Sequence, residues 1–126
     1  SMQATSLVNE ARQTLLKPLT RAAYLLSLEG IDLAIETDTR MSGEFLMAQM
    51  DLREALESAA DSNDPFPRLE ALGNRVGAMC REAEASFTAS HAQGDMTAAR
   101  ERVREWQFLE KIQSEIDELE SSLDSY

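Results

Sequence analysis

The sequence predicts an all-α fold in which three long helices form an antiparallel bundle. From residue 42 to residue 123, apolar residues recur every three or four positions, as they do on one face of a helix. No stretch alternates apolar and polar residues in the manner of a half-buried strand. Breaks rich in proline, glycine and asparagine separate the longest periodic segments. A chain of 126 residues can bury enough apolar surface to form a core without disulfides or metal.

Two shorter helices are predicted ahead of the bundle. The first covers residues 3–16, and its apolar positions are Leu7, Val8, Ala11 and Leu15. Lys17 ends it, because a residue before proline avoids helical geometry, and Pro18 suits the first turn of a second helix. Leucines surround the end of this second helix, and Gly30 can provide a left-handed stop. We therefore expect the second helix to be covered on more than one side.

The three bundle helices follow a segment without periodicity, residues 31–41, which is predicted to be a linker. Ser42 is a candidate N-cap for the third helix, which runs to about residue 60. Asp64 and Pro65 are suited to begin the fourth helix, which extends to about residue 90. Asp95 is the predicted cap of the fifth helix, from about residue 96 to about residue 123. The predicted core-facing residues are Phe45, Leu52, Leu56, Ala59, Leu69, Leu72, Val76, Met79, Cys80, Ala83, Phe87, Met96, Ala99, Val103, Trp106, Leu109, Ile112, Ile116, Leu119 and Leu123.

The third helix carries more apolar residues than one core face needs. At about 100° per residue, a second apolar group falls on roughly the opposite side from the core stripe. This group is Leu46, Met47 and Met50, and it lies beside the acidic residues Asp51, Glu54 and Glu57. An apolar island surrounded by carboxylates on a solvent face is typical of a docking surface for a partner protein. The alternative is a helix that its own protein covers on two sides.

Phe108 is a further apolar residue in excess of a core face, because it lies to one side of the apolar stripe of the fifth helix. The alternative is a boundary position that a neighbouring helix covers.

Charge and cysteine content limit the classes of function. The formal net charge is −11, so nucleic acid is excluded as a partner and a basic patch on a protein is favoured. The single cysteine cannot form an internal disulfide and is compatible with the reducing cytoplasm. The sequence contains neither an apolar run of membrane-spanning length nor a signal peptide, and no membrane association is expected. Ser1 and Met2 are typical of an expression scar, so we expect a fragment of a longer protein.

The sequence offers little that could support catalysis. Cys80 and His91 are the only cysteine and histidine, and no orienting motif surrounds either one. Cys80 is predicted to be a small core residue, and His91 to interact with a helix end. The Glu-x-x-His pairs of a di-metal carboxylate bundle and the glycine motifs of nucleotide sites are both missing. We therefore expect no enzyme, cofactor or metal; the alternative is a small hydrolase or metalloprotein.

The order of segments resembles the C-terminal part of the HscB family, the J-type co-chaperones of iron–sulfur cluster assembly. The resemblance is carried by residues 15–30 (LLKPLTRAAYLLSLEG), by residues 45–56 and by residues 104–112. It implies that residues 1–30 are the last helices of a truncated J domain, that 31–41 is a linker and that 42–126 is a three-helix bundle that binds a scaffold protein. The His-Pro-Asp tripeptide of a J domain is missing here, since His91 is followed by Ala92 and Gln93.

The resemblance also implies a function. In this family the bundle binds the iron–sulfur scaffold protein IscU and presents it to a DnaK-type chaperone of the HscA type, whose ATPase the J domain stimulates. The residues that match the scaffold-binding positions are Leu46, Met47, Met50, Asp51, Glu54 and Phe108. The competing hypothesis is a structural helical bundle that self-associates through the same apolar faces and has no dedicated cargo.

Overall fold

The computed structural model describes residues 17–31, 33 and 43–124 of the chain. In these ranges it contains four helices, α1 (Pro18–Leu28), α2 (Gly43–Ala60), α3 (Pro65–Ala92) and α4 (Met96–Asp124), and no strand. The all-α prediction is therefore confirmed. The predicted helix over residues 3–16, most of the predicted linker and the candidate cap Ser42 lie outside the described residues.

The ends of α1 follow from two residues predicted to set them. Lys17 is extended, with φ −89° and ψ 121°, and Pro18 occupies the start of the helix. After the helix, Gly30 adopts φ +80°, which a residue with a side chain disfavours. This left-handed turn lets the amide of Ile31 donate to the carbonyl of Leu26 at 3.0 Å and that of Gly30 to Ser27 at 3.0 Å, the Schellman pattern. The predicted stop at Gly30 is confirmed.

The two helices that follow the tight connections of the bundle begin in different ways. At α4 the amide of Ala98 donates to the Oδ1 atom of Asp95 at 3.1 Å, which confirms the predicted cap. At α3, Asp64 occupies the predicted N-cap position and Pro65 the first turn, but the Asp64 side chain makes no hydrogen bond to the helix backbone. Its Oδ1 atom accepts instead from Nε of Arg68 at 3.1 Å, a charge-assisted bond one turn into the helix.

The core lies between the bundle helices, chiefly along the contact of α3 with α4, which the short connection at residues 93–95 makes antiparallel. The buried residues of these helices are Leu52, Leu56, Ala59, Leu69, Leu72, Val76, Ala83, Phe87, Ala99, Val103, Trp106, Leu109, Ile112 and Ile116. Each belongs to a predicted core face. The remaining predicted positions, Phe45, Met79, Cys80, Met96, Leu119 and Leu123, are only partly buried because they lie at the edges or ends of the bundle. The three-helix-bundle prediction is thus confirmed.

Helix α1 packs against this bundle and shares its core. Ala22 and Leu26 are buried, and α1 contacts both α4 and α3. The opposite side of the helix stays open, since Tyr24 is exposed and Leu28 is 66% exposed. Within the described residues, the expected covering on more than one side is therefore incomplete, because Tyr24 and Leu28 remain exposed.

Candidate docking site

One face of α2 exposes large apolar side chains. Leu46 is 47% exposed, Met47 66% and Met50 72%. Leu52 is only 1% exposed, although it lies just two residues beyond Met50 on the same helix. The alternative in which the protein covers this helix on two sides is therefore wrong for these three residues. Helix α2 has one face in the core and one in solvent, and both are apolar.

A shallow groove with a volume of about 540 Å³ lies beside this exposed face, between α2 and α4. Its lining residues are Gln49, Met50, Arg53, Glu54, Glu57 and Phe108. The groove thus brings together three of the predicted site residues, Met50, Glu54 and Phe108. Leu46, Met47 and Asp51 are exposed on α2 but do not line it.

Phe108 connects the groove to the core. Its side chain is partly buried and packs against the buried cluster. Its ring meets the ring of Phe45 edge to face, with centroids 5.9 Å apart and an interplanar angle of 86°, a favourable arrangement for two aromatic rings. The boundary interpretation of Phe108 is correct as far as packing goes, yet one side of the ring still forms part of the groove wall.

Arg53 is a groove residue that the sequence prediction missed. Its guanidinium carbon lies 5.7 Å from the centroid of the Phe108 ring, within the range of a cation–π contact. The Nη1 atom of Arg53 also forms an ion pair with Oε2 of Glu115 on α4, so the side chain joins the two helices that form the groove. The helical spacing from Met50 to Arg53 and on to Glu57 places all three on one face and could have indicated this residue.

The rim of the groove is acidic. Glu54 and Glu57 are exposed at its edge, and Asp51 is exposed on the same helix. The positive charge of Arg53 is engaged by Glu115. In a chain with a formal net charge of −11, this arrangement favours the approach of a basic surface over that of an acidic one.

The described part of the chain gives no geometry for a Cys–His nucleophile pair. Cys80 and His91 lie on α3, separated by about 16 Å along the helix axis. Burial, with the nearby Glu110 carboxylate, raises the pKa of the Cys80 thiol to about 11, so the thiol is protonated at neutral pH. His91 packs beside the ring of Phe87, with centroids 5.6 Å apart, in the last turn of α3.

The described residues contain neither a cluster of metal-ligating side chains nor a membrane-spanning helix. No group of three or more histidine, cysteine, aspartate or glutamate side chains is arranged to hold a metal ion in residues 17–31, 33 and 43–124. None of the helices in these ranges combines the length and apolar character that crossing a membrane would require.

Comparison with known proteins identifies relatives of this chain. Residues 41–117 match the sequence model of the family described as the HSCB C-terminal oligomerisation domain. The chain is 46% identical over 126 residues to the co-chaperone protein HscB homolog of Azoarcus sp. (strain BH72), covering 99% of this chain and 71% of that protein. It is 40% identical over 123 residues to the HscB homolog of Vibrio cholerae, covering 98% of this chain and 72% of the relative.

Solved structures agree with these sequence relationships. The structure of chaperone HscB from Vibrio cholerae matches with a TM-score of 0.81 and 38% identity, over 97% of this chain and 71% of that one. The human co-chaperone protein HscB matches with a TM-score of 0.81 and 30% identity, over 92% of this chain and 57% of that one. Such identity over nearly the whole chain, together with the family match, shows that the chain belongs to the HscB family.

Proposed function

We propose that this chain is the cargo-binding part of a co-chaperone, and that it binds an IscU-type iron–sulfur scaffold protein through the exposed face of α2 and the adjoining groove. The proposed contact residues are Leu46, Met47, Met50, Asp51, Glu54 and Phe108. The role is non-catalytic and needs no cofactor. A cytoplasmic location, inferred from the sequence, is part of the same proposal.

The observation that carries this proposal is the exposure of Leu46, Met47 and Met50 on a helix whose other face lies in the core. Complete burial of one such side chain is worth about 1.5–3 kcal/mol. Several of them can offset an association cost of at least ~4 kcal/mol. The result is a moderate, reversible affinity, which suits a protein that passes its cargo on. Methionine fits this purpose because its flexible side chain adapts to an irregular partner.

The acidic residues beside the apolar face would orient the scaffold protein as it approaches. Asp51 and Glu54 lie beside the apolar face, and rim charges chiefly affect the rate and orientation of association. A scaffold protein that presents basic residues around an apolar patch would therefore dock in one register. Increasing salt should slow its association.

The remaining parts of the proposal concern the longer protein. Residues 1–30 are proposed to be the end of a J domain, 31–41 a linker and 42–126 the scaffold-binding domain. In the full-length parent, the J domain would stimulate the ATPase of an HscA-type chaperone, a member of the DnaK type, while the bundle delivers the scaffold. This chain has no His-Pro-Asp tripeptide, so it should bind the scaffold without stimulating that ATPase.

The direct test is a calorimetric titration of the chain with a purified IscU-type scaffold protein. We expect saturable binding with one scaffold per chain, and slower association at higher salt. Failure to bind at concentrations well above the micromolar range would refute the proposal. A parallel chaperone ATPase assay should give the same rate with and without this chain.

Self-association is a second candidate, favoured by one observation. The matched family is described as an oligomerisation domain, and the exposed face of α2 could also pair with a second copy. Such pairing would bring Asp51, Glu54 and Glu57 of two chains together, so it should strengthen with salt. Sedimentation velocity at several protein and salt concentrations separates the two candidates: a monomer that binds the scaffold supports the first, and a dimer that releases its copies only on dilution supports the second.

A further inference from the structure

Arg53 and Phe108 belong to a set of side-chain contacts that connects α2 with α4 beside the groove. The rings of Phe108 and Phe45 pack edge to face, with centroids 5.9 Å apart. The guanidinium carbon of Arg53 lies 5.7 Å from the centroid of the Phe108 ring. Glu115 holds that guanidinium through an ion pair. Phe108 and Glu115 both lie on α4, so Arg53 reaches across from α2 to two points of the facing helix.

We propose that Arg53 is a positioning residue of the docking site, which holds the Phe108 ring in the orientation that the partner meets. This inference rests on the proposed function, because it concerns the same groove. It assigns to Arg53 no direct contact with the partner. Its role is to keep ordered the one aromatic side chain that α4 contributes to the groove.

The physical reason is preorganisation. A side chain that becomes fixed only on binding loses rotamer freedom at that moment, and the loss weakens the complex. Phe45 and Arg53 fix the Phe108 ring before any partner arrives. Arg53 is itself constrained, because the ion pair with Glu115 limits where the guanidinium can move. The ordering is therefore present in the unbound chain.

Arginine is suited to this role in a way that lysine is not. Its planar guanidinium can lie over an aromatic ring while it donates to a carboxylate, whereas an ammonium is a compact point charge. Arg53→Lys thus keeps the charge and the possibility of an ion pair but removes the planar contact with Phe108. This substitution separates positioning from simple electrostatics.

The test measures the dissociation constant of the chain for a purified IscU-type scaffold protein. We expect Arg53→Lys to weaken binding roughly three- to fivefold, the equivalent of one moderately exposed cation–π contact. Arg68→Ala is the matched control, because it removes an exposed ion pair with Asp64 at the start of α3 and lies outside the groove lining. It should bind like the original chain. An Arg53→Lys chain that also binds normally would overturn the inference.

A double-mutant cycle with Phe108→Leu distinguishes positioning from direct contact. If Arg53 acts through the Phe108 ring, then Arg53→Lys should have no further effect on binding once Phe108 is leucine. Independent, multiplying losses would overturn the inference, since they would mean that the partner touches Arg53 itself. A thermal melt of each variant reports any general loss of structure, which the positioning role does not require.

Glu115→Gln provides a second variant should Arg53→Lys fail to fold. It leaves Arg53 in place and removes the charged anchor, so we expect about a twofold weakening of binding, and an unchanged dissociation constant would again overturn the inference. Absence of scaffold binding by the unaltered chain would overturn the proposed function and this inference together. Scaffold binding by the unaltered chain, with the same dissociation constant for the Arg53→Lys chain, would overturn the inference alone.

Discussion

Replacing Met47 and Met50 together by alanine should separate binding from folding. These residues are 66% and 72% exposed, so truncation gives up the burial of only about a third of each. We expect each substitution to lower the free energy of unfolding by about 0.5–1 kcal/mol, since complete burial would be worth about 1.5–3 kcal/mol. A partner would cover the larger, exposed part. Its loss should cost about 1–2 kcal/mol per methionine and weaken binding by about 30-fold or more in the double variant.

Thermal unfolding and scaffold titration of the same protein samples check this expectation. Trp106 is the single tryptophan and is buried, so its fluorescence reports loss of the core. Leu28→Ala is the matched control, because Leu28 is 66% exposed, as Met47 is, but lies on α1. It should lower stability by about as much as one of the methionine substitutions and leave scaffold binding unchanged. Leu52→Ala should destabilise by about 2–5 kcal/mol and calibrates the melt. Normal scaffold binding by the double variant, or a loss of stability close to that of Leu52→Ala, would refute the reasoning.

Three further predictions concern other parts of the chain. Because the pKa of Cys80 is raised from 9.0 to about 11, its thiolate fraction at pH 8 should be about 100-fold lower than that of an ordinary thiol, and alkylation should be correspondingly slow until denaturant unfolds the chain. Partial burial and the Asp117 and Glu70 carboxylates raise the pKa of Glu120 above its ordinary value of 4.5, so ionisation of this side chain destabilises the fold as the pH rises above 4.5. Glu120→Gln should therefore raise the melting temperature at pH 7 but not at pH 3.5. An equal rise at both pH values would contradict this. Gly94→Ala should destabilise by about 1–2 kcal/mol in a denaturant titration, because Gly94 has φ +77°; no change would argue against that conformation.

Local periodicity was enough to predict most of the fold. Val103, Ile112 and Ile116 are buried because spacing of three and four places them on one side of a single helix, and that rule needs no tertiary information. The same rule found the exposed Met47 and Met50 as residues in excess of the core face. Positions at the edge of the bundle were harder to predict, because their burial depends on how far the neighbouring helix extends.

The contacts around the groove could not be predicted in the same way. Arg53 and Glu115 are 62 positions apart, and no pattern within either helix indicates which distant charge a long flexible side chain will meet. The missing side-chain bond at the N-cap residue Asp64 has a related cause, since Arg68 competes for its carboxylate with the backbone amides. In both cases the partner of an arginine side chain depends on distances that only the folded structure determines. Sequence periodicity therefore located the exposed apolar face of α2 but not the contacts around the groove beside it.

The placement of the proposed docking face on α2 determines which costs a bound partner would have to offset. Leu52 and Leu56 fix one side of this helix in the core, while Met47 and Met50 face outward on the same rigid element. A partner can cover the outer side without opening the bundle, so none of the association energy has to compensate for lost core packing. The remaining costs are overall immobilisation and the ordering of exposed side chains. Flexible methionines increase that ordering cost and adapt to the partner in return. If this face binds the scaffold as proposed, an affinity set by this balance would be moderate, and a delivered scaffold could be released.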